Sequence, residues 1–176
     1  MKVFILTAVL MAAANPVLAQ SAGEKTGVNA VLGIAPSTQD FVKEAAISDM
    51  FEVQSSELAT QKADDGPTKT FAQRMIQDHM KTTGELKSLV SSGKVRAEIP
   101  AGLDSPHESM LDKLKSLSGT DFDKTYRSDQ ESGHKDAVSL FERYAKGGDN
   151  ADLKAWASKT LPTLQDHLTM TEELNK

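Results

Sequence analysis

The side chains in this chain with chemistry to offer are imidazoles and carboxylates, and their placement is patterned. Of four histidines in 176 residues, two stand in matching frames: QDHMKTTGEL at residues 77–86 and QDHLTMTEEL at residues 165–174. Gln, Asp, His, a flexible apolar residue, then Thr, Glu and Leu recur at the same offsets. Neutral imidazoles combined with a carboxylate are donors for Zn, Cu, Mn or Fe. The absence of cysteine removes thiolate metal sites, disulfides and cysteine nucleophiles together. No GxSxG, HExxH or glycine-rich phosphate loop is present, so hydrolytic and nucleotide chemistry have no sequence support and no catalytic residue is assigned.

Counting from the helix turns shows which of these groups can meet. Glu52 lies about 13 residues before the Asp65-Gly66 turn and His79 about 13 after it, so at about 1.5 Å of rise per residue the two share a height. His134 lies about 14 residues before the Gly148-Asp149 turn, and His167 about 18 after it, roughly one helical turn further along. His79 and His167 fall within apolar stripes, His134 at the edge of one. Glu52 shares its face with Ala45, Ser48, Ser56 and Ala59, small residues that leave room around a carboxylate. The set Glu52, His79, His134 and His167 is therefore the candidate for a single transition-metal site. Asp49, Tyr126, Gln130 and Glu131 are the polar groups placed to support it, since carboxylates commonly orient metal-binding imidazoles. A second reading stands beside it: the same histidines and Glu52 hydrogen-bond one another as a metal-free polar core. Asp78 and Asp166, repeated with the histidines, lie about 100° around the helix from them, in solvent or in a supporting position. His107 belongs to a helix start, and the scattered methionines are packing residues.

The elements that must position these groups are helices. Met1-Lys2, the apolar run from Val3 to Ala14 and the small residues of Val17-Leu18-Ala19 predict a signal peptide over 1–19 and an exported, periplasmic protein, with outer-membrane attachment left open. Residues 20–37 read as a flexible tail and 38–176 as the domain. Helical periodicity predicts a first helix from about Thr38 to Lys62 and a second from Pro67 to about Ser91. A Gly/Pro/Ser-rich connection follows, with a short third helix opened by a capping box at Ser105-Pro106-His107-Glu108. A fourth helix is capped by Thr120 or Asp121. A fifth starts at Asp149 or Asn150 and carries Pro162, which should kink it or loosen one turn. Short loops within each pair and a long connection between pairs predict an all-α, four-helix bundle of two antiparallel hairpins joined by a crossover with one short helix. The repeated QDH frames then occupy the second helix of each hairpin. A net charge of −5 with acidic and basic residues interspersed gives no nucleic-acid footprint, and no segment after the signal is long and apolar enough to span a membrane. A protein partner in the envelope is left open.

The stretches FVKEAAISDMFEVQSSELATQKA, FAQRMIQDHMK, LSGTDFDKTY and LPTLQDHL together resemble the exported bacterial family known as domain of unknown function 4142. Its members are often labelled outer-membrane proteins and grouped with ferritin-like folds. The resemblance covers residues 38–173 and implies a ferritin-like bundle without an assigned activity. Ferritin-like di-iron proteins draw a Glu from each of two helices and a Glu-x-x-His from each of the other two. Here Ile76 and Leu164 stand where the glutamates of those motifs belong, and Glu131-x-x-His134 lies on the other helix of its hairpin. The resemblance thus argues against a carboxylate-bridged di-iron centre and leaves a single metal, or none. Metal handling or envelope stress is the role this implies; a structural or interaction module of the envelope is the alternative.

Overall fold

The computed structural model describes residues 21–25 and 27–176. The expected signal peptide lies outside the described residues. Two short helices, α1 (Ala22–Lys25) and α2 (Val28–Leu32), precede four long ones: α3 (Thr38–Lys62), α4 (Gly66–Ser91), α6 (Gly119–Gly147) and α7 (Ala151–Leu174), with the short α5 (Ser105–Ser116) in the crossover. No strand occurs among the described residues.

Local chemistry sets most of the boundaries. Ser37, Asp65 and Asn150 cap α3, α4 and α7, each accepting a hydrogen bond from the backbone N–H three residues on. This occupies donors that the first turn of a helix cannot pair internally. Two expected starts move. The cap of α5 is Asp104, which accepts from the His107 N–H; its carboxylate competes better than the Ser105 hydroxyl for that donor. α6 starts at Gly119 after Ser118, ahead of Thr120 and Asp121. Gly119 has φ 58, in the left-handed region that a residue lacking Cβ enters without strain. α7 runs unbroken through Pro162, which costs it the hydrogen bond to the carbonyl of Ser158.

α3 pairs with α4 and α6 with α7, and the hairpins meet through α3 on α6 and α4 on α7. At one end Arg127 of α6 donates to Thr68 Oγ1 at 2.7 Å and to the Leu174 carbonyl at 3.0 Å, and pairs with Asp65. The start of α6 therefore lies beside the α3–α4 turn. At the other end Thr38 Oγ1 sits 2.5 Å from the Tyr144 hydroxyl, and Asn150 donates to the Lys94 carbonyl at 2.9 Å. Neighbouring long helices are all antiparallel, and the crossover must travel the length of the bundle. α5 lies along α3 on the way, where Lys62 Nζ donates to the carbonyls of Leu114 and Lys115. That outer layer explains why α3 is buried on several faces, Ile47 and Phe51 as well as Phe41 and Val42.

Two apolar clusters fill the bundle. One holds Phe41, Leu86, Phe141, Tyr144, Leu153 and Trp156. The other holds Phe51, Phe71, Met75, Leu114, Phe122 and Tyr126. The residues expected as a flexible tail are held down: Arg143 pairs with Glu24 at 2.6 Å and donates to the Ile34 carbonyl at 2.8 Å, while the Ser21 N–H reaches Asp40 at 3.2 Å. Their Gly/Ala/Ser composition concealed one buried ion pair.

Phe41 stacks on Tyr144 at 4.1 Å between ring centroids and meets the Phe141 edge at 4.9 Å. Phe41→Ala is expected to cost about 3–5 kcal/mol, because the ring leaves a cavity that a rigid four-helix contact cannot close. Urea denaturation measures it, and a loss under 1 kcal/mol would contradict the packing described.

Candidate metal centre

Between the two apolar clusters lies a polar layer supplied by all four long helices. α4 brings His79, α6 His134 and α7 His167, which are 2 %, 1 % and 0 % exposed; α3 brings Glu52, 2 % exposed. Ring centroids are 5.6 Å apart for His79–His134, 5.4 Å for His79–His167 and 5.3 Å for His134–His167, a nearly equilateral triangle. One ring nitrogen from each histidine lies within 4.8 Å of the other two. Glu52 stands beside this group and does not belong to it.

The outward sides of the rings determine what the inward sides offer. His79 Nδ1 lies 2.8 Å from Asp49 Oδ1, His167 Nε2 2.9 Å from Asp78 Oδ2, and His134 Nδ1 2.8 Å from the Gln130 carbonyl oxygen. A carboxylate and a carbonyl only accept, so each of these nitrogens carries the ring proton. In the neutral rings that leaves His79 Nε2, His134 Nε2 and His167 Nδ1 as lone pairs. His134 Nε2 and His167 Nδ1 are 3.3 Å apart, and buried His79 Nε2 has no hydrogen-bond partner. Two facing lone pairs repel unless a proton or a cation lies between them.

Electrostatics separates the three rings. Burial, reinforced by His79, pushes His134 down to about 3. Burial and His79 likewise take His167 down to about 4 against the pull of Asp78. Burial alone would depress His79 too, but its hydrogen bond to Asp49 and the charges of Asp49, Glu52 and Asp78 hold it above the ordinary value. Burial drives Glu52 up to about 7, against the opposing influence of His79 and Gln130. Near neutrality His134 and His167 are therefore unprotonated donors, and the extra proton belongs to His79 or Glu52.

The supporting residues divide. Asp49 carries more than His79: its Oδ2 accepts from Thr82 at 2.8 Å and Thr83 at 3.0 Å. Gln130 lies in the layer, its carbonyl on His134 and its amide on Ser55 at 3.2 Å. Tyr126 is one step removed, its hydroxyl 2.8 Å from Ser56 Oγ. Glu131 is not a supporting group: it binds Lys135 and Asn175 on the surface, and the Gln130 backbone carbonyl serves the His134 ring instead. Asp78 is the partner that spacing along one helix left undecided. It reaches His167 from α4 across the hairpin interface and is also held by Arg74 at 3.2 Å. The hydrogen bonds from His167 and Arg74 keep its carboxyl below the usual range despite partial burial. The only sequence sign was the repeated Asp-His pair, and the symmetry is broken: Asp49 serves His79, while Asp166 stays exposed. His107 bonds Asp104 at the start of α5.

An antiparallel helical bundle with a crossover and a buried three-histidine layer is the class of protein that these observations define. The chain belongs to the family described as Domain of unknown function (DUF4142), whose family model matches residues 23–174. Among solved structures it is similar to CopM in its Cu(II)-bound form, with 18% identity over 81% of this chain and 97% of that one, and a TM-score of 0.67. It is also similar to a DUF305 protein from Streptomyces coelicolor, with 14% identity over 78% of this chain and 91% of that one, and a TM-score of 0.64. At these identities the likeness establishes the fold. No curated protein matches the chain. Among the described residues no helix is long and apolar enough to cross a membrane.

The pKa shifts set a pH optimum for the metal-free protein. Below the ordinary histidine value of 6.5 the unfolded chain takes up protons that His134 and His167 refuse until about 3 and about 4, so their contribution is lost as pH falls. Glu52 acts in the opposite sense: folded it keeps its proton up to about 7, unfolded only to 4.5, so its contribution is lost progressively between those two values as pH rises. His79, raised in the fold, adds to that alkaline loss. Stability in chelator should therefore peak near pH 6.5 and decline on both sides. Glu52→Gln removes a loss that runs between pH 4.5 and about 7, so it should steepen the acidic decline, and it should weaken the alkaline one only as far as Glu52 raises His79. Urea midpoints at pH 5, 6.5 and 8 decide it, and a midpoint still rising at pH 8 counts against the assignment.

Proposed function

We propose that this protein binds one transition-metal cation between His79, His134 and His167, with the Glu52 carboxylate beside it, and serves in metal handling in the bacterial envelope. The carrying observation is the set of three convergent nitrogens whose protons are all committed outward. Two nitrogens bound to one tetrahedral ion at about 2.0–2.1 Å stand about 3.3 Å apart, which matches the 3.3 Å between His134 Nε2 and His167 Nδ1. Glu52 Oε2 is buried without a hydrogen-bond partner, and its carboxyl, raised to about 7 by burial, supplies negative charge close by once its proton is released. Asp49 and Asp78 hold two of the rings from outside, as carboxylates do for metal-bound imidazoles. An all-nitrogen and oxygen donor set suits Cu(II) or Zn(II) better than softer ions, and Cu(II) leads the divalent affinity order. The Cu(II)-bound state of a neighbour with the same fold supports testing copper first. A resident ion would act here as a Lewis acid or as cargo, and the residues described bind and orient it.

Residues 1–19 are proposed as a signal peptide removed on export, and 38–176 as the bundle domain to which the segment before it is fastened. Metal-free packing of the same groups is the second reading. It is favoured by the fact that each ring already bonds one partner outside the triangle.

Isothermal titration of untagged protein with Cu(II) and Zn(II), with elemental analysis, is expected to give one ion per chain. His167→Ala should abolish stoichiometric binding, and Asp49→Ala should weaken it about 10- to 100-fold by freeing the His79 ring. Less than one-tenth of an equivalent bound, with unchanged thermal stability on adding either ion, would leave the metal-free reading.

A further inference from the structure

A cleft of about 830 Å³ opens on the side of the bundle among α3, α5 and α6, under the N-terminal segment. Its charged lining is dominated by carboxylates: Glu24, Glu44, Asp104 and Asp136 against Lys43 and Arg143. Arg143 is itself neutralised by Glu24 at 2.6 Å, so the cleft carries a net negative field, which concentrates cations. Ser48 and Gly133 also line it.

Gly133 connects this cleft to the buried layer. It precedes His134 on α6, and a Cβ placed on it would stand 3.0 Å from Glu52 Oε1. On the facing helix Glu52 is one turn beyond Ser48, so the two share a side of α3. The wall between cleft and histidines is thus a glycine with no side chain and a carboxyl whose other oxygen is buried and unpartnered. Beyond Glu52 lies His79, close enough that each alters the other's protonation. Mid-helix, a glycine weakens α6 by roughly 1 kcal/mol relative to alanine, and nothing in local helix geometry asks for one there.

We propose that the cleft is the way in for the cation: an aquo ion collects among the carboxylates at its mouth, passes Gly133, and is handed by Glu52 to the three imidazoles. This rests on the three-histidine reading above. Glu52 is then a transfer ligand, exchanging coordinated water for carboxylate oxygen before nitrogen donors take over.

The test is kinetic, with Cu(II) itself as probe, followed by visible absorption in stopped flow using the full untagged chain. Gly133→Val fills the gap, and is expected to slow both Cu(II) uptake and release to EDTA at least about ten-fold while affinity changes little, because a blocked path raises one barrier for both directions. Asp136→Lys, at an exposed position that leaves folding untouched, should slow uptake roughly two- to five-fold at low salt and not at 0.5 M salt, where the Debye length is a few ångströms. Wild-type uptake rates in both variants would overturn the route, as would a rate that responds to Arg74→Glu, beside Asp78 on the opposite approach, and not to Asp136→Lys. Faster release with unchanged uptake in Gly133→Val would show a damaged site and no channel, and overturns it too. A wild-type chain that takes up no Cu(II) overturns both readings. One that binds Cu(II) at one equivalent, with uptake indifferent to both cleft variants, overturns the route alone.

Discussion

Three imidazoles meet in the middle of this bundle with their protons turned outward, and much of the surrounding structure follows from that constraint. A buried ring nitrogen bearing hydrogen needs an acceptor, and an unmet polar group in an apolar core costs on the order of 1–3 kcal/mol. The bundle supplies one acceptor to each ring from a different source: Asp49 on α3, the Gln130 carbonyl on α6 and Asp78 on α4. Each choice also locks a ring orientation, so the inward lone pairs are fixed in direction before anything binds. Of the buried side-chain atoms without a partner among the described residues, His79 Nε2, Glu52 Oε2 and Gln130 Oε1 belong to this layer, beside Asp129 Oδ2 and Arg143 Nε.

The topology is what makes convergence possible. Because the crossover runs the length of the bundle, α6 descends beside α3, and positions 52 and 133 come to face each other although 81 residues separate them. Thr38 with Tyr144 at one end and Asp65 with Arg127 at the other fix that register. The apolar clusters on either side then work as insulation. Phe71 lies 6.5 Å from the His134 ring on one flank, and burial, with His79 beside it, holds His134 neutral far into acid. Stability and donor chemistry are therefore coupled: the packing that anchors the helices also keeps the inward nitrogens of His134 and His167 unprotonated.

Much of this was legible in the sequence, for physical reasons that also mark where legibility stops. Helix periodicity and turn residues located the four long helices, since caps such as Asp65 and Asn150 act on donors three residues away. Counting residues from a turn places side chains by height, so Glu52, His79, His134 and His167 were recognisable as one layer. What a helix cannot report is a partner on another helix. Asp78 points toward His167 across the hairpin interface, and Glu131, three residues before His134, turns to Lys135 and Asn175. The N-terminal segment was hidden for a similar reason: Glu24 and Arg143 are 119 residues apart and neither is unusual in its own neighbourhood.

The duplicated QDH frame carries a further consequence. If the two hairpins were symmetric in use as well as in origin, each Asp would serve the His of the opposite copy. Asp78 does so for His167, but Asp166 stays in solvent and Asp49 takes over His79. Asp49 comes from the first helix of its hairpin, and the corresponding helix of the second hairpin contributes His134 in place of a carboxylate. The two hairpins thus contribute differently, the first helix of one holding an imidazole and the first helix of the other supplying one. Symmetric bundles with paired carboxylates favour two bridged ions. An asymmetric layer with three nitrogens and one adjacent carboxylate favours a single ion, and the broken symmetry of the repeat is the structural reason for expecting one.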